Sequence, residues 1–220
     1  MHRPRVAVNC AASIDGKLSS AARKGIMLSS PEDAVRVMRL RGSCDAIAVG
    51  VNTVIADDPR LTVRGTGGKK RPLRVVFDSA GRIPPHSRVL DGTAETVVFT
   101  CKGSGLSLDS AKVITCGQGR VDLRRALAHL YRMGVRSLLV EGGGELIFSF
   151  LSLDLVDSLT VYTSPIVIGG RASPTIADGP GFRRSSSFRQ FRLVNLRRLG
   201  EGFVATYVPM RRERSRTPDK

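Results

Sequence analysis

Residues 137–151 read SLLVEGGGELIFSFL: an apolar run, one carboxylate, three glycines and a second apolar run. Leu138-Leu139-Val140 shows no polar alternation, as expected of a short strand covered on both faces, and such strands belong to parallel sheets. The strand delivers Glu141 into Gly142-Gly143-Gly144, and a helix over Glu145–Leu151 follows directly. Buried strand, tight turn and helix in succession make the repeating unit of an α/β domain.

The unit recurs upstream. Ile47-Ala48-Val49 is an apolar, partly β-branched run that stops at Gly50. Leu73–Phe77 is another, ending at Asp78-Ser79-Ala80-Gly81-Arg82 before Pro84-Pro85 blocks regular structure. Val6–Cys10 reads as a first strand, broken by the turn Ser13-Ile14-Asp15-Gly16 and a small-residue loop to about Gly25. Ser30 suits an N-cap, Pro31 the first helical position, Glu32 and Asp33 the positive end of a helix, and Gly42 its C′ position. Val35, Val37 and Met38 give that helix an apolar side. Val97–Phe99 and Lys112–Ile114 are two further short strands. Asp122 caps a helix to about Met133, with Leu123, Leu127 and Leu130 at helical spacing and Gly134 closing it. Leu159–Tyr162 and Ile166–Ile168 are strand-like, and Gln190–Leu199 with Gly202–Val208 reads as an antiparallel hairpin around Gly200. The expected fold is α/β, a mixed and mostly parallel sheet flanked by helices with an antiparallel C-terminal hairpin. It forms one domain over residues 1–209, followed by a basic tail, 210–220, that lacks apolar spacing.

Composition narrows the class. The 220 residues are 41% hydrophobic, enough for a proper core, with 35 basic against 19 acidic side chains and a net charge of +16. Such a charge invites nucleic acid, but the basic residues are scattered, aromatics make up only 5% and Trp is absent, so a stacking platform for bases is poorly supported. Cys10, Cys44, Cys101 and Cys116 stand far apart without CxxC or Cys/His spacing, which indicates neither a metal site nor a disulfide framework. No run has the length of a membrane span, and the start MHRPRVAVNC leads almost directly into a strand. The expectation is a cytoplasmic protein with no membrane partner.

Chemistry gathers where the strands end. In VGVNTVIADDPRLTVR, residues 49–64, an apolar strand gives way to Asn52, Thr53, the paired acids Asp57-Asp58, Pro59 and Arg64. It reads as a ligand site or, more blandly, as a surface turn. The glycines 142–144 let backbone N–H groups approach an anion at a helix N-terminus, although neither a Walker loop nor a GxGxxG fingerprint is present. Glu141 at the end of an apolar strand needs a partner. Asp15-Gly16-Lys17 puts an acid and a possible proton donor on one tight loop. No histidine triad, metal cluster or GxSxG is visible.

Taken in order, AASIDGK (11–17), SSPEDAVRVMRLRG (29–42), VGVNTVIADDPRLTVR (49–64), RVVFDSAGRIP (74–84), VEGGGELIFSFL (140–151) and VDSLTVYTSPIVIGG (156–170) resemble one family. It is the pyrimidine reductases of riboflavin biosynthesis, especially the stand-alone archaeal type, matched over about residues 5–208. The resemblance implies a dihydrofolate-reductase-like fold, usually a homodimer. It further implies NADPH-dependent reduction of the ribosyl group of 2,5-diamino-6-ribosylamino-4(3H)-pyrimidinone 5′-phosphate to a ribityl chain. Cofactor contacts would fall on a backbone group near Ala11 or Ala12, on Thr53, Asp57 and Ser79, and on the turn Gly142, Gly143, Gly144 with Glu145, running to about Ser149. Ser79 with Arg82 would suit the cofactor's 2′-phosphate. Substrate contacts would fall on Arg41, Leu61, Arg64 and Glu141, with Arg41 and Arg64 clamping the phosphate. Hydride would pass to the anomeric carbon of the open-chain imine. Glu141 would orient the pyrimidine amino groups, and Lys17, aided by Asp15, would move protons during ring opening.

Bacterial bifunctional relatives carry a zinc deaminase with HxE and PCxxC signatures. Neither occurs here, which favours the still-aminated substrate over its deaminated uracil counterpart. A dihydrofolate reductase would offer an acid in its first helix, for which Asp33 is available. The non-enzyme alternative is a basic nucleic-acid-binding module, marked by a steep salt dependence.

Overall fold

The computed structural model describes residues 2–22, 26–63 and 71–210. The described strands and helices follow in chain order: β1 (Arg5–Ser13), α1 (Pro31–Ser43), β2 (Ala46–Gly50), α2 (Val51–Asp57), β3 (Leu73–Phe77), β4 (Thr96–Thr100), β5 (Lys112–Thr115), β6 (Gly117–Gln118), β7 (Arg120–Val121), α3 (Leu123–Arg132), β8 (Ser137–Val140), α4 (Gly144–Ser152), β9 (Ser158–Ser164), β10 (Phe191–Leu199) and β11 (Gly202–Pro209). Nine strands make one sheet in the order β10-β11-β9-β1-β8-β2-β3-β4-β5, while β6 and β7 pair as a separate small ladder. From β9 to β5 every pairing is parallel. In this sheet only the β9–β11 and β11–β10 pairings are antiparallel, and β10 with β11 closes one edge as the expected hairpin.

The central parallel strands β2, β3, β4 and β8 feed both faces of the sheet by simple alternation. Val75, Val97 and Leu138 point into one core with Leu127 and Leu130 of α3 and Ile147 and Phe150 of α4. Val76, Val98 and Leu139 point into the other, with Val51 and Val54 of α2 and the buried Ile83 and Leu90. Continuous apolar sequence is thus the mark of two covered faces, and the reading of 138–140 holds. The helix caps hold as well: Asp33 N donates to Ser30 Oγ at 3.2 Å and Arg125 N to Asp122 Oδ1 at 3.1 Å. Among the described residues no helix is long and apolar enough to cross a membrane.

Four local expectations are corrected. Residues 51–57, for which no helix is expected, form α2, because Val51 and Val54 bury against the sheet and Asp58 ends the helix in left-handed backbone, φ 39°. Gly42 lies inside α1, which runs on to Ser43 and ends at extended Cys44. The apolar side expected of α1 is not its buried side: Val35 is 50% exposed and Asp33 is the one fully buried residue. Ile166–Ile168 is not a strand. It is irregular chain whose N–H groups at Ile168 and Gly169 donate to Asp15 instead of to a ladder.

Candidate functional site

The strand order dictates where a site can form. β8 sits between β1 and β2, with β9 on the far side of β1, so the loops after β1, β2, β3 and β8 converge at the carboxyl ends of the sheet, where the strand order reverses. A cavity of about 360 Å³ opens there. Cys10 and Ala11 of β1 form its floor, Asn52, Thr53 and Asp57 of α2 one wall, and Glu141 with the glycine turn another. Ile26–Ser29, Pro174 and Asp178 complete it.

The glycine turn is sterically required. A side chain at Gly142 would come within 3.2 Å of Thr53 Oγ1, Gly143 has φ 84°, and a Cβ on Gly144 would overlap the Thr175 carbonyl oxygen. α4 therefore starts without a side-chain cap, and the N–H groups of its first turn stand beside the cavity. This is the geometry that binds an anion such as a diphosphate.

Arg41 and Glu141, expected to hold different parts of a substrate, are paired with each other. Arg41 Nε donates to both carboxylate oxygens at 2.9 and 3.0 Å, and Nη2 to Oε2 at 2.7 Å. Its Nη1 donates to the Thr62 carbonyl at 3.1 Å. Arg41 is thus not the free phosphate clamp expected of it, since its fork is taken up by the carboxylate whose need for a partner was legible. Asp57 makes no comparable bond. Although the residue is largely exposed, burial of its carboxyl raises the pKa above the ordinary range. Cys10 on the floor is pushed up to about 12 by burial and stays a thiol.

Asp15 makes no ion pair with Lys17. Its oxygens accept from Ser13 Oγ at 2.6 Å, Ile168 N at 3.1 Å and Gly169 N at 2.7 Å, which holds its pKa down at about 2. It ties the 166–169 segment to the β1 turn. Lys17 is anchored through its backbone, whose N–H donates to Ser13 Oγ at 2.9 Å and which bridges Thr175. Leu61 is another correction: with φ 49° it turns its side chain into the core, 2% exposed. At the end of β1 it is Ala11 that lines the cavity, while alternation sends Ala12 inward. Arg64 lies outside the described residues, as does the tail from 211 onward.

Ser79 and Arg82 line a second cavity of about 540 Å³ on the other side of the glycine turn, and Asn52, Gly143 and Glu145 line both. Arg82 donates to Asn52 Oδ1 at 2.7 Å. Asp33 is closed to any ligand. Fully buried, it accepts from Arg36 Nε and Ser29 Oγ, both at 2.7 Å, so the acid that a dihydrofolate reductase would use is engaged elsewhere. Asp178 went unnoticed in the sequence. Its Oδ1 accepts from both N and Oγ1 of Thr175, a local loop bond with no distinguishing pattern. Among the described residues no group of three or more His, Cys, Asp or Glu could hold a metal ion.

The RibD C-terminal domain family model matches residues 4–205. The chain is 44% identical over 218 residues to the 2,5-diamino-6-ribosylamino-4(3H)-pyrimidinone 5′-phosphate reductase of Archaeoglobus fulgidus, spanning 93% of this chain and 97% of that one. It is 40% identical over 213 residues to the enzyme of the same name from Methanothermobacter thermautotrophicus, spanning 94% and 98%. Among solved structures, the deaminase/reductase of Thermotoga maritima superposes with a TM-score of 0.84 at 26% identity, covering 94% of this chain and 57% of that one. The riboflavin biosynthesis reductase of Saccharomyces cerevisiae shares the fold with a TM-score of 0.74 at 20% identity, covering 94% and 90%.

Proposed function

The chain belongs to the RibD C-terminal domain family, and from that membership we propose that it reduces the ribosyl group of 2,5-diamino-6-ribosylamino-4(3H)-pyrimidinone 5′-phosphate with NADPH, in riboflavin biosynthesis. The observation that carries the substrate is the character of the first cavity. Its ionisable side chains other than Cys10 are four carboxylates, Asp57, Glu141, Glu145 and Asp178, and no described cation lines it. A pyrimidine bearing two amino groups brings donors to such a wall, whereas the uracil counterpart replaces one of them with a carbonyl.

Within this reading each described group has a task. Glu141 keeps lone pairs for the pyrimidine amino groups while Arg41 holds its carboxylate in place. The uncapped N-terminus of α4, with Thr53 beside it, takes the cofactor's diphosphate. Asp57 accepts from cofactor hydroxyl or amide groups, and Ser79 with Arg82 holds the 2′-phosphate. When bound, the reduced nicotinamide supplies the hydride for the sugar carbon. Lys17, whose ammonium has no partner among the described residues, moves or holds a proton at the sugar oxygen during ring opening. Asp15 keeps the loop that carries it in position.

The working unit is a homodimer of one reductase domain, residues 1–209. Leu193, Val194, Leu196 and Phe203 on the C-terminal hairpin are all more than 40% exposed, an apolar face suited to a second copy. The compartment is the cytoplasm, where all four cysteines, free and buried, stay reduced. The test mixes purified protein and NADPH with either the diamino substrate or its deaminated counterpart and follows cofactor absorbance. Faster oxidation with the diamino substrate is expected. No oxidation with either would overturn the reading, and preference for the uracil would overturn its substrate.

A further inference from the structure

The second cavity has a basic end to which a third side chain contributes. β6 and β7 form a tight hairpin that pairs Gln118 with Arg120 around Gly119, φ 66°. Gly117, φ 109°, leaves no room for a side chain: its Cβ would overlap the Arg120 carbonyl oxygen and come within 2.8 Å of Asp122 N. The turn is therefore built for glycine, and it delivers Arg120 to the cavity wall that carries Ser79 and Arg82. Val121, buried, locks the hairpin to the β3 turn, since its N–H donates to Ser79 Oγ at 3.1 Å. Because that oxygen is accepting, the Ser79 hydroxyl proton is free to be donated to an anion.

Arg82 is braced on Asn52, whereas the Arg120 guanidinium makes no hydrogen bond or ion pair with any described residue. Glu145 is the only carboxylate among the described residues lining this cavity. Two guanidinium groups and a hydroxyl, on two turns joined by a hydrogen bond, form a fork suited to a dianionic phosphate and of little use to a neutral ribose hydroxyl.

We propose that Arg120 is the second cation of the cofactor's 2′-phosphate subsite and a determinant of NADPH over NADH. The proposal rests on the NADPH reading above, and its test separates the two. Binding of 2′,5′-ADP and of 5′-ADP is measured by calorimetry on the full chain and on Arg120→Ala and Arg120→Lys. Arg120 is exposed, so an unchanged unfolding midpoint checks that the variants fold. Loss of a charge-assisted bond predicts that Arg120→Ala weakens 2′,5′-ADP on the order of tenfold or more while 5′-ADP changes less than twofold, with Arg120→Lys between. The ratio of kcat/KM for NADPH to that for NADH falls with it. Wild-type affinity for 2′,5′-ADP in Arg120→Ala, or equal loss of both nucleotides, overturns the role of Arg120 alone. A wild-type protein that does not prefer 2′,5′-ADP over 5′-ADP overturns the NADPH reading as well.

Discussion

Replacing Arg41 by Met tests whether this arginine holds Glu141 or waits for a phosphate. The Glu141 side chain is only 7% exposed and Arg41 16%, and both carboxylate oxygens accept from the guanidinium. Removing the cation leaves a nearly buried carboxylate without its partner, a change that costs about 3–5 kcal/mol in fully buried pairs. Because the Arg41 side is not wholly shielded, the lower end applies, about 3 kcal/mol. For a domain of this size that is roughly 6–12 °C in melting temperature, at about 2–4 °C per kcal/mol. The double variant Arg41→Met, Glu141→Leu removes both charges and should recover most of the loss, with a coupling energy on the order of 2 kcal/mol or more. It should not recover turnover, since the pyrimidine then lacks its acceptor. Urea titrations of the four proteins supply the cycle, and substrate KM is measured alongside. A single Arg41→Met variant within about 0.5 kcal/mol of wild type, with only substrate KM raised, would refute the ion-pair account and return Arg41 to the role of a free clamp.

Asp57→Asn should weaken NADPH on the order of tenfold through loss of a charge-assisted acceptor. Since burial raises the Asp57 pKa, the wild type should show the same weakening, as pH falls, earlier than an ordinary carboxylate would produce it; equal affinities in fluorescence titrations from pH 7 to 4 would remove Asp57 from the site. Asp15 works in the opposite sense. Its folded pKa of about 2 lies below the unfolded value near 4, so its contribution is complete above pH 4 and is lost as pH falls toward 2. Denaturation midpoints of wild type and Asp15→Asn should therefore converge over that window, and a constant difference would exclude the Asp15 staple. Gly144→Ala drives a methyl group into the Thr175 carbonyl, and urea titration should show a loss of about 1–3 kcal/mol; an unchanged midpoint would mean the 174–178 loop does not rest on the turn.

What was legible in the sequence was what neighbouring residues decide. The strand over 138–140 announced itself because two covered faces leave no place for a polar residue, and Ser30 and Asp122 announced helices because caps act over three residues. α2 was missed because seven residues, with an Asn and a Thr among them and no capping side chain at Gly50, carry too little periodicity to be told from a turn. The exposed face of α1 misled for another reason: amphipathic spacing marks an apolar side without saying whether the chain itself covers it. In the site, Glu141 could be seen to need a partner, yet its partner stands 100 residues away, and no local pattern joins Arg41 to it. Asp15 suffered the same fate, its acceptors being filled by N–H groups more than 150 residues distant.

The charge of the chain looks different once it is divided between the two cavities. Summed over the sequence, +16 points toward a polyanion, but the first cavity is lined by four carboxylates and no described cation, and the second by two arginines against one carboxylate. Asn52, Gly143 and Glu145 belong to both. Polarity therefore reverses across a few residues, from acceptor-rich to cationic, with uncapped helix N–H groups between. One molecule that meets this gradient has a neutral, amide-bearing head, a diphosphate waist and a phosphorylated ribose at its tail, laid with the head in the first cavity. In that orientation Asp57 meets the cofactor, Glu141 is left to the second ligand, and the electrostatic demand on that ligand is for amino groups near Glu141. The local fields inside the cavities, and not the net charge, are what select small-molecule ligands here.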